Sequence, residues 1–300
     1  MALRRGELGP LIALLAMTAA WGSTFFMIKD VVTRVPVADM LTMRFAIAAV
    51  ALAILAGPRL RMSSTTLRRG LVLGLLYGIA QLLQTFGLAH TAASVSGFLT
   101  GLYVVLTPLL SALILRTTIA PAVWGAAALA TVGLGVLSLQ GFSVGYGELL
   151  TVASAVVYAL HIVALGRMSQ PGTALQLSVV QMATIAVVCG IGAAPGGIQL
   201  PSSGSDWLII VYLALIAGAL TMLLQTWAQA RVEASRAAVI MAMEPVWAAG
   251  FAVALGGETL TWRMLVGGGA ILAAMYLVEL APRRRARTGR RGVGSSGHHV

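Results

Sequence analysis

The 300-residue chain is 59% hydrophobic and only 10% charged, whereas about a quarter of the residues of an average soluble domain are charged. A soluble fold of this size cannot bury so much apolar surface, so we expect a lipid bilayer as its solvent. The net charge of +11 does not indicate a nucleic-acid partner, because the charges lie in short segments between apolar runs and in the C-terminal tail. No Cys/His cluster predicts a metal site, and we expect no cofactor.

Apolar stretches of spanning length recur along the chain, since a transmembrane helix needs about 20 residues. We predict ten transmembrane helices, at 9–28, 38–56, 70–89, 95–115, 122–140, 148–165, 175–194, 207–227, 237–255 and 264–281. A cleaved signal peptide is the alternative for the first, but its apolar run continues to Ile28, so we expect an uncleaved helix. The basic segment 282–300 is predicted to be disordered.

The positions of arginine and lysine predict the orientation in the membrane. With the N-terminus in the cytoplasm, sixteen of the 20 basic residues fall in cytoplasmic segments, three fall outside, and Arg44 lies within the second helix. Both termini are therefore predicted to be cytoplasmic, in a multi-pass protein of a bacterial-type inner (plasma) membrane. The basic tail is expected to contact anionic membrane lipids.

Residues 83–94 resemble residues 224–235, with six of twelve positions identical, including Gln84-Thr85 against Gln225-Thr226. This match divides the chain into five-helix repeats at 1–140 and 141–281. Because five is odd, the second repeat must be inverted across the membrane plane, an arrangement typical of alternating access. Aligning the mid-helix prolines Pro108 and Pro245 implies an insertion of four residues in the first repeat. On that alignment, Thr107 is the counterpart of Glu244.

Several short motifs fall in a fixed order along these segments: Trp21-Gly22-Ser23-Thr24-Phe25, Arg44-Phe45, Thr91-Ala92-Ala93-Ser94, Gly147-Glu148-Leu149-Leu150, Met243-Glu244-Pro245-Val246 and Gly257-Glu258. In these motifs the chain resembles the drug/metabolite transporter superfamily, specifically its ten-helix EamA-type members. The resemblance implies a central cavity lined by the first, third, fourth, sixth, eighth and ninth helices. The four-helix multidrug members of the superfamily carry a carboxylate in the middle of their first helix. The first predicted helix of this chain has none, so their proton/drug exchange site is not transferred to it.

Two charged residues fall inside predicted helices, where charges are costly and usually functional or paired. Glu244 precedes Pro245 in the ninth helix. It either binds a cationic solute or coupling proton, or bonds a backbone group that the proline frees. Arg44 either reaches the membrane interface or pairs with an acid, with an anionic solute contact as the remaining alternative.

Polar and aromatic residues at helical spacing are further candidates for lining the cavity. Gln84 and Gln225 are repeat mates, and Gln81 lies one turn before Gln84. His161, three residues after Tyr158, either relays protons or bonds a neighbouring helix. The remaining candidates are Trp21, Ser23, Thr24, Thr100 and Tyr103. Pro108 and Pro245 are predicted to be gating hinges.

Together these features predict a secondary transporter that moves a small metabolite, an amino-acid-like compound or an amphipathic compound, with export as the expected direction. A nucleotide-binding loop is absent from the sequence, whose one lysine is Lys29, so energy would come from a proton gradient or from exchange. A membrane enzyme and a structural or assembly protein are the alternatives, but the sequence contains no catalytic motif that favours the former. The oligomeric state is left open.

Overall fold

The computed structural model describes residues 8–115, 121–138, 145–232 and 234–280. Its α-helices are α1 Leu8–Val31, α2 Val37–Ala56, α3 Ser64–Ala89, α4 Ala93–Thr100, α5 Tyr103–Leu115, α6 Pro121–Ser138, α7 Tyr146–Met168, α8 Ala174–Ala193, α9 Gly204–Ala214, α10 Thr221–Gln229, α11 Ala234–Met241, α12 Glu244–Ala254 and α13 Trp262–Leu280. A π-helix, Leu215–Leu220, joins α9 to α10, and 3₁₀ turns lie at Gly57–Leu60 and Ala194–Gly196. The described part of the chain contains no β-strand.

Seven helical segments in the described residues are long and apolar enough to cross a membrane: Leu8–Val31, Val37–Leu60, Ser64–Ala89, Ala93–Ile114, Tyr146–Met168, Ala174–Gly196 and Gly204–Gln229. Trp124–Gly133 and Trp262–Leu277 are shorter apolar helices. The protein is therefore an all-helical, multi-pass membrane protein. Each of the ten predicted segments coincides with helix, while a count of ten crossings stays a prediction. The segment 282–300, predicted to be disordered, lies outside the described residues.

Three of the predicted helices are interrupted, and the interruptions position the candidate site. The chain turns at Gly101 and Leu102 between α4 and α5, and at Ala242 and Met243 between α11 and α12. The π-helix interrupts the predicted helix at 207–227, between α9 and α10. Such breaks free backbone groups, which membrane proteins tolerate where other protein groups or a cavity satisfy them.

These breaks correct the predicted alignment of the two halves. Helix α4 begins at Ala93 and α11 at Ala234, 141 residues later. Helix α5 begins at Tyr103 and α12 at Glu244, again 141 residues later. The same difference aligns Gln84 with Gln225, so there is no four-residue insertion in this region. The counterpart of Glu244 is therefore Tyr103, and the prediction of Thr107 was wrong.

The error came from treating the two prolines as equivalent marks. Pro108 lies inside the continuous helix α5, whereas Pro245 is the second residue of α12. A proline in the first turn of a helix removes no intrahelical hydrogen bond, so it can follow a break without causing a kink of its own. The prolines are thus not mirrored, and a hinge role for either stays a prediction.

Small residues bring α1, α4 and α12 into close contact. A Cβ atom built on Gly22 would lie 2.4 Å from Cβ of Trp247, and one built on Gly97 would lie 2.6 Å from Cβ of Ala248. Gly101, at the break after α4, approaches Cγ of Pro245 in the same way, at 2.5 Å. Such spacing leaves no room for larger residues, so these three helices pack backbone against backbone beside the helix breaks.

Candidate functional site

A cavity lies where the helix breaks meet. It is lined by Trp21, Thr24, Phe25, Arg44, Tyr77, Gln81, Gln84, Thr100, Tyr103, Tyr158, His161, Ile162, Gln225 and Glu244. Eleven of the twelve candidate residues named from the sequence are in this set. Phe25, Tyr77 and Ile162 were not named. Tyr77 could have been found, because it lies one helical turn before Gln81 on the same face of α3.

Ser23 is the one candidate that does not line the cavity. Its hydroxyl lies 2.8 Å from the hydroxyl of Tyr212 and donates to the Ala20 carbonyl. It therefore joins α1 to α9, and the residues on either side of it along the helix cannot share its direction.

A chain of hydrogen bonds runs along one wall of the cavity. Arg44 Nη1 lies 3.5 Å from Gln81 Oε1, and Gln81 Nε2 donates to the Tyr158 hydroxyl at 2.6 Å. The Tyr158 hydroxyl donates to Gln84 Oε1 at 2.9 Å, and Gln84 Nε2 donates to the Thr100 hydroxyl at 3.0 Å. Both amide atoms of Gln84 are thus engaged, which holds this wall in one arrangement.

Arg44 is buried and bonds the backbone of the interrupted helix. Its Nε donates to the Leu213 carbonyl at 3.1 Å, and its Nη2 lies 3.3 Å from the Ala217 carbonyl. Among the described residues, both ion pairs involve Arg34, and no carboxylate pairs with Arg44. Both predicted contacts, with the membrane interface and with an acid, were therefore wrong. One of the two carbonyls, that of Ala217, lies in the π-helix.

Tyr103 and Glu244 face each other across the cavity at the two helix restarts. The Tyr103 hydroxyl lies 3.0 Å from Glu244 Oε2 and 3.0 Å from the Met241 carbonyl, which the break after α11 exposes. A phenol has one proton to donate, so it can serve only one of these acceptors at a time. The Tyr103 hydroxyl is thus a donor that the freed carbonyl and Glu244 share, and the role of Glu244 in transport stays a prediction.

Two other lining residues carry polar atoms without protein partners. His161 Nε2 lies 2.9 Å from Gln181 Oε1, while His161 Nδ1 has no hydrogen-bond partner. Gln225 Oε1 also has none, and its Nε2 contacts only Met241 Sδ, at 3.9 Å. The two glutamines predicted to be mates therefore differ: Gln84 is fully bonded, and Gln225 is available.

Two more lining residues form hydrogen bonds within the protein. Trp21 Nε1 donates to the Thr221 hydroxyl at 2.9 Å and to the Ala217 carbonyl at 3.2 Å. The Thr24 hydroxyl donates to the Trp21 carbonyl of its own helix. These two side chains offer the cavity an aromatic surface and a methyl group rather than free polar atoms.

At the end of the bundle where α1 ends, polar contacts join the two halves of the chain. Glu258 accepts hydrogen bonds from the backbone N–H of Ala93, at 2.6 Å, and from the backbone and hydroxyl of Ser94. The Thr91 hydroxyl donates to Glu148 at 2.7 Å, and within the first half the Lys29 ammonium donates to the Thr91 carbonyl at 2.5 Å. The carboxylate of Glu258 also suits the N-terminus of α4 electrostatically.

Arg34 adds an ion pair at this same end. Its Nη2 lies 2.6 Å from Asp30 and 2.6 Å from Asp206, the latter at the start of α9. The hydrogen bonds to Asp30 and then to Asp206 hold the pKa of the Arg34 guanidinium above its usual range. Arg34, Glu148 and Glu258 therefore close this end of the cavity with contacts between the halves.

A polar cavity inside a bundle of membrane-spanning helices defines a class, the multi-pass membrane proteins with an internal solute site. The family model for the EamA-like transporter family matches residues 8–139 and again residues 145–280. The chain therefore belongs to the EamA-like transporter family of the drug/metabolite transporter superfamily, as the motifs predicted.

One sequence relative supports this assignment, and a solved structure shares the fold. An "Uncharacterized transporter" of Archaeoglobus fulgidus is 29% identical over 270 residues, which cover 90% of this chain and 84% of the relative. A protein of known crystal structure shares the fold with a TM-score of 0.70, at 19% sequence identity, over 94% of this chain and 99% of its own. The family and the archaeal relative indicate a membrane transporter rather than an enzyme.

Proposed function

We propose that the protein is a secondary transporter that moves a small metabolite, an amino-acid-like compound or an amphipathic compound through the central cavity by alternating access. Export across the inner membrane is the proposed direction, with a proton gradient or solute exchange as the energy source. The two halves, 1–140 and 141–281, act as inverted repeats of five helices each, with both termini in the cytoplasm.

The composition of the cavity wall is the observation that carries this proposal. Helix α7 ends 137 residues after α1 ends (168 against 31). Helix α8 likewise begins 137 residues after α2 begins (174 against 37). At that difference Trp21 pairs with Tyr158, Thr24 with His161 and Phe25 with Ile162. With the pairs Gln84/Gln225 and Tyr103/Glu244, ten of the lining residues form five equivalent pairs. Such a wall is expected where two related halves meet around one solute site.

The contacts at the end of the bundle where α1 ends support alternating access. The contacts of Glu148, Glu258 and Arg34 lie at the end where α1 ends, and the close packing of Gly22 and Gly97 against α12 lies on the same side. This arrangement fits a state closed toward that end. In an inverted pair of repeats, an exchange of the two halves' conformations opens this end and closes the other.

The distribution of basic residues supports the proposed orientation. Among the described residues, Arg59, Arg61, Arg68, Arg69 and Arg167 lie at the end where α1 begins. Positive residues favour the cytoplasmic side, so the closed end described above faces outward. A cavity shut toward the outside is the form in which an exporter takes up its solute from the cytoplasm.

Solute counterflow in proteoliposomes tests this function. Vesicles with the purified protein are loaded with unlabelled candidate solutes, diluted into trace amounts of each labelled solute, and compared with protein-free vesicles. We expect transient accumulation of at least one metabolite, amino-acid-like compound or amphipathic compound, because exchange needs only a cavity that opens to both sides. If a broad pooled metabolite set gives no counterflow, with or without a proton gradient, the proposal is wrong.

A further inference from the structure

The unpaired atoms of the cavity define the chemistry of its ligand. Five buried side-chain atoms among the described residues lack a hydrogen-bond partner, and two of them, Gln225 Oε1 and His161 Nδ1, belong to residues that line the cavity. Gln225 is 1% exposed and His161 is 0% exposed. Burying a polar atom without a partner is costly, so a ligand that satisfies both atoms would stabilise the protein.

Both orphaned atoms are hydrogen-bond acceptors. An amide oxygen such as Gln225 Oε1 can only accept. Gln181 Oε1, the partner of His161 Nε2, can also only accept, so Nε2 carries the proton of the neutral imidazole. The other nitrogen, His161 Nδ1, is then left as an acceptor.

Glu244 supplies a third acceptor to the same cavity. Its hydrogen bond from Tyr103 uses Oε2, and a carboxylate has further lone pairs on Oε1. Resting on the transport function proposed above, we infer that the cavity binds solutes through a primary ammonium group. The three N–H donors of that group equal in number the acceptors that Glu244, Gln225 and His161 supply.

Arg44 lines the same cavity and is held by protein acceptors. Its three guanidinium nitrogens lie near oxygens of Leu213, Ala217 and Gln81, which engage three of its five N–H groups. The proposed ammonium site is built from acceptors of other residues and needs no carboxylate on the solute.

The rest of the wall suits an apolar or aromatic body attached to that ammonium. Aromatic side chains of α1, α3, α5 and α7 line the cavity, among them Trp21, Tyr77 and Tyr103. Aromatic faces bind cations and flat rings, and they add area without further polar demands. A small arylalkylamine therefore fits both parts of the site.

Binding to the full-length protein in lipid nanodiscs tests the inference, with tritiated 2-phenylethylamine as the probe. Its N,N,N-trimethyl derivative keeps the charge and ring but has no N–H, while 2-phenylethanol and 3-phenylpropionate replace the ammonium. We expect each of the three to compete at least about tenfold more weakly than the amine, since bonds to charged groups are worth at least that factor. If the trimethyl compound or the alcohol competes as well as the amine, the inference is overturned.

The variant Gln225→Leu locates the site. We expect it to weaken binding of 2-phenylethylamine about tenfold and to leave binding of 2-phenylethanol unchanged. Gln199→Leu, the same change at an exposed residue, should alter neither. Equal binding of the amine by wild type and Gln225→Leu contradicts the inference, and the wild-type ligand series decides the matter if the variant does not fold.

Counterflow separates a failure of this inference from a failure of the transport function. If the protein exchanges a pooled metabolite but neither binds nor exchanges the amine, the ammonium assignment is wrong and the transport proposal stands. If nothing is exchanged while the amine binds as expected, the assignment of the ligand stands and the transport proposal is wrong.

Discussion

Tyr103 and Glu244 lie 141 residues apart in the chain, occupy the same place in the two halves, and hydrogen-bond to each other at 3.0 Å. Each is the first residue of a helix that resumes after a break. The pair thus joins the two interrupted helices at the cavity wall. If the two halves are the inverted repeats proposed above, a contact between equivalent residues is expected near the axis that relates them.

Removing the Tyr103 hydroxyl is predicted to impair both stability and transport. In Tyr103→Phe, the Met241 carbonyl and Glu244 lose their shared donor, and an unpaired buried acceptor costs about 1–3 kcal/mol. We expect a lower midpoint of thermal unfolding in detergent and slower counterflow. Tyr146→Phe, at an exposed tyrosine, is the control. Equal behaviour of the two variants would contradict a role for the pair.

Arg44→Lys is predicted to destabilise the protein although it keeps the charge. Lysine has one nitrogen in place of three, so it cannot reach the Leu213 and Ala217 carbonyls and Gln81 together. Each buried acceptor left unpaired costs about 1–3 kcal/mol. We expect a lower midpoint of thermal unfolding for Arg44→Lys. Arg61→Lys, in the exposed turn after α2, should leave the midpoint unchanged. A wild-type midpoint for Arg44→Lys would show that the π-helix does not need this residue.

Two glycine-to-alanine changes should have opposite effects. The Cβ added in Gly22→Ala would meet Trp247 Cβ at 2.4 Å and Ala248 N at 2.9 Å, while at Gly250 nothing lies within 4 Å. Overpacking costs about 1–3 kcal/mol, whereas alanine in place of an unconstrained helical glycine stabilises by about 0.5–1 kcal/mol. The midpoint of thermal unfolding should therefore fall for Gly22→Ala and stay equal or rise for Gly250→Ala. The reverse order would mean that α1 and α12 do not pack as described.

Glu258→Gln is predicted to open the cavity toward the end where α1 ends. The carboxylate holds the N-terminus of α4 through Ala93 and Ser94, and an amide gives up its charge there. With Thr24→Cys as a reporter in a Cys189→Ala background, we expect faster reaction with a membrane-impermeant maleimide from that face. Asp30→Asn is the control, because Asp30 bonds Arg34 within the same turn. Unchanged labelling in Glu258→Gln would remove this residue from the closure.

The sequence predicted the helices and most of the cavity because both depend on local pattern. Apolar length located each helix, and the Gln-Thr and Ala-Ser matches gave the correct difference of 141. Costly buried groups such as Arg44 and Glu244 pointed to the cavity because lipid-facing positions would not tolerate them.

Tertiary packing decided the rest. The break after α4 falls at Gly101, which contacts Pro245 of a helix distant in sequence. An alignment of the two halves on their prolines alone was therefore wrong. Whether a glutamine is bonded or free depends on its neighbours in other helices: Gln84 meets Tyr158 and Thr100, while Gln225 meets only Met241. One acceptor of Arg44, the Ala217 carbonyl, lies in the π-helix between α9 and α10, which no motif in the sequence indicated.

Access to the cavity from the two sides of the membrane tests the central claim most directly. Thr24→Cys, in the Cys189→Ala background, is labelled with an impermeant maleimide from one face and then from the other, with and without a solute active in counterflow. Alternating access predicts that the same residue reacts from both faces and that the solute slows both reactions. Labelling from one face alone, whatever solute is present, would contradict the account.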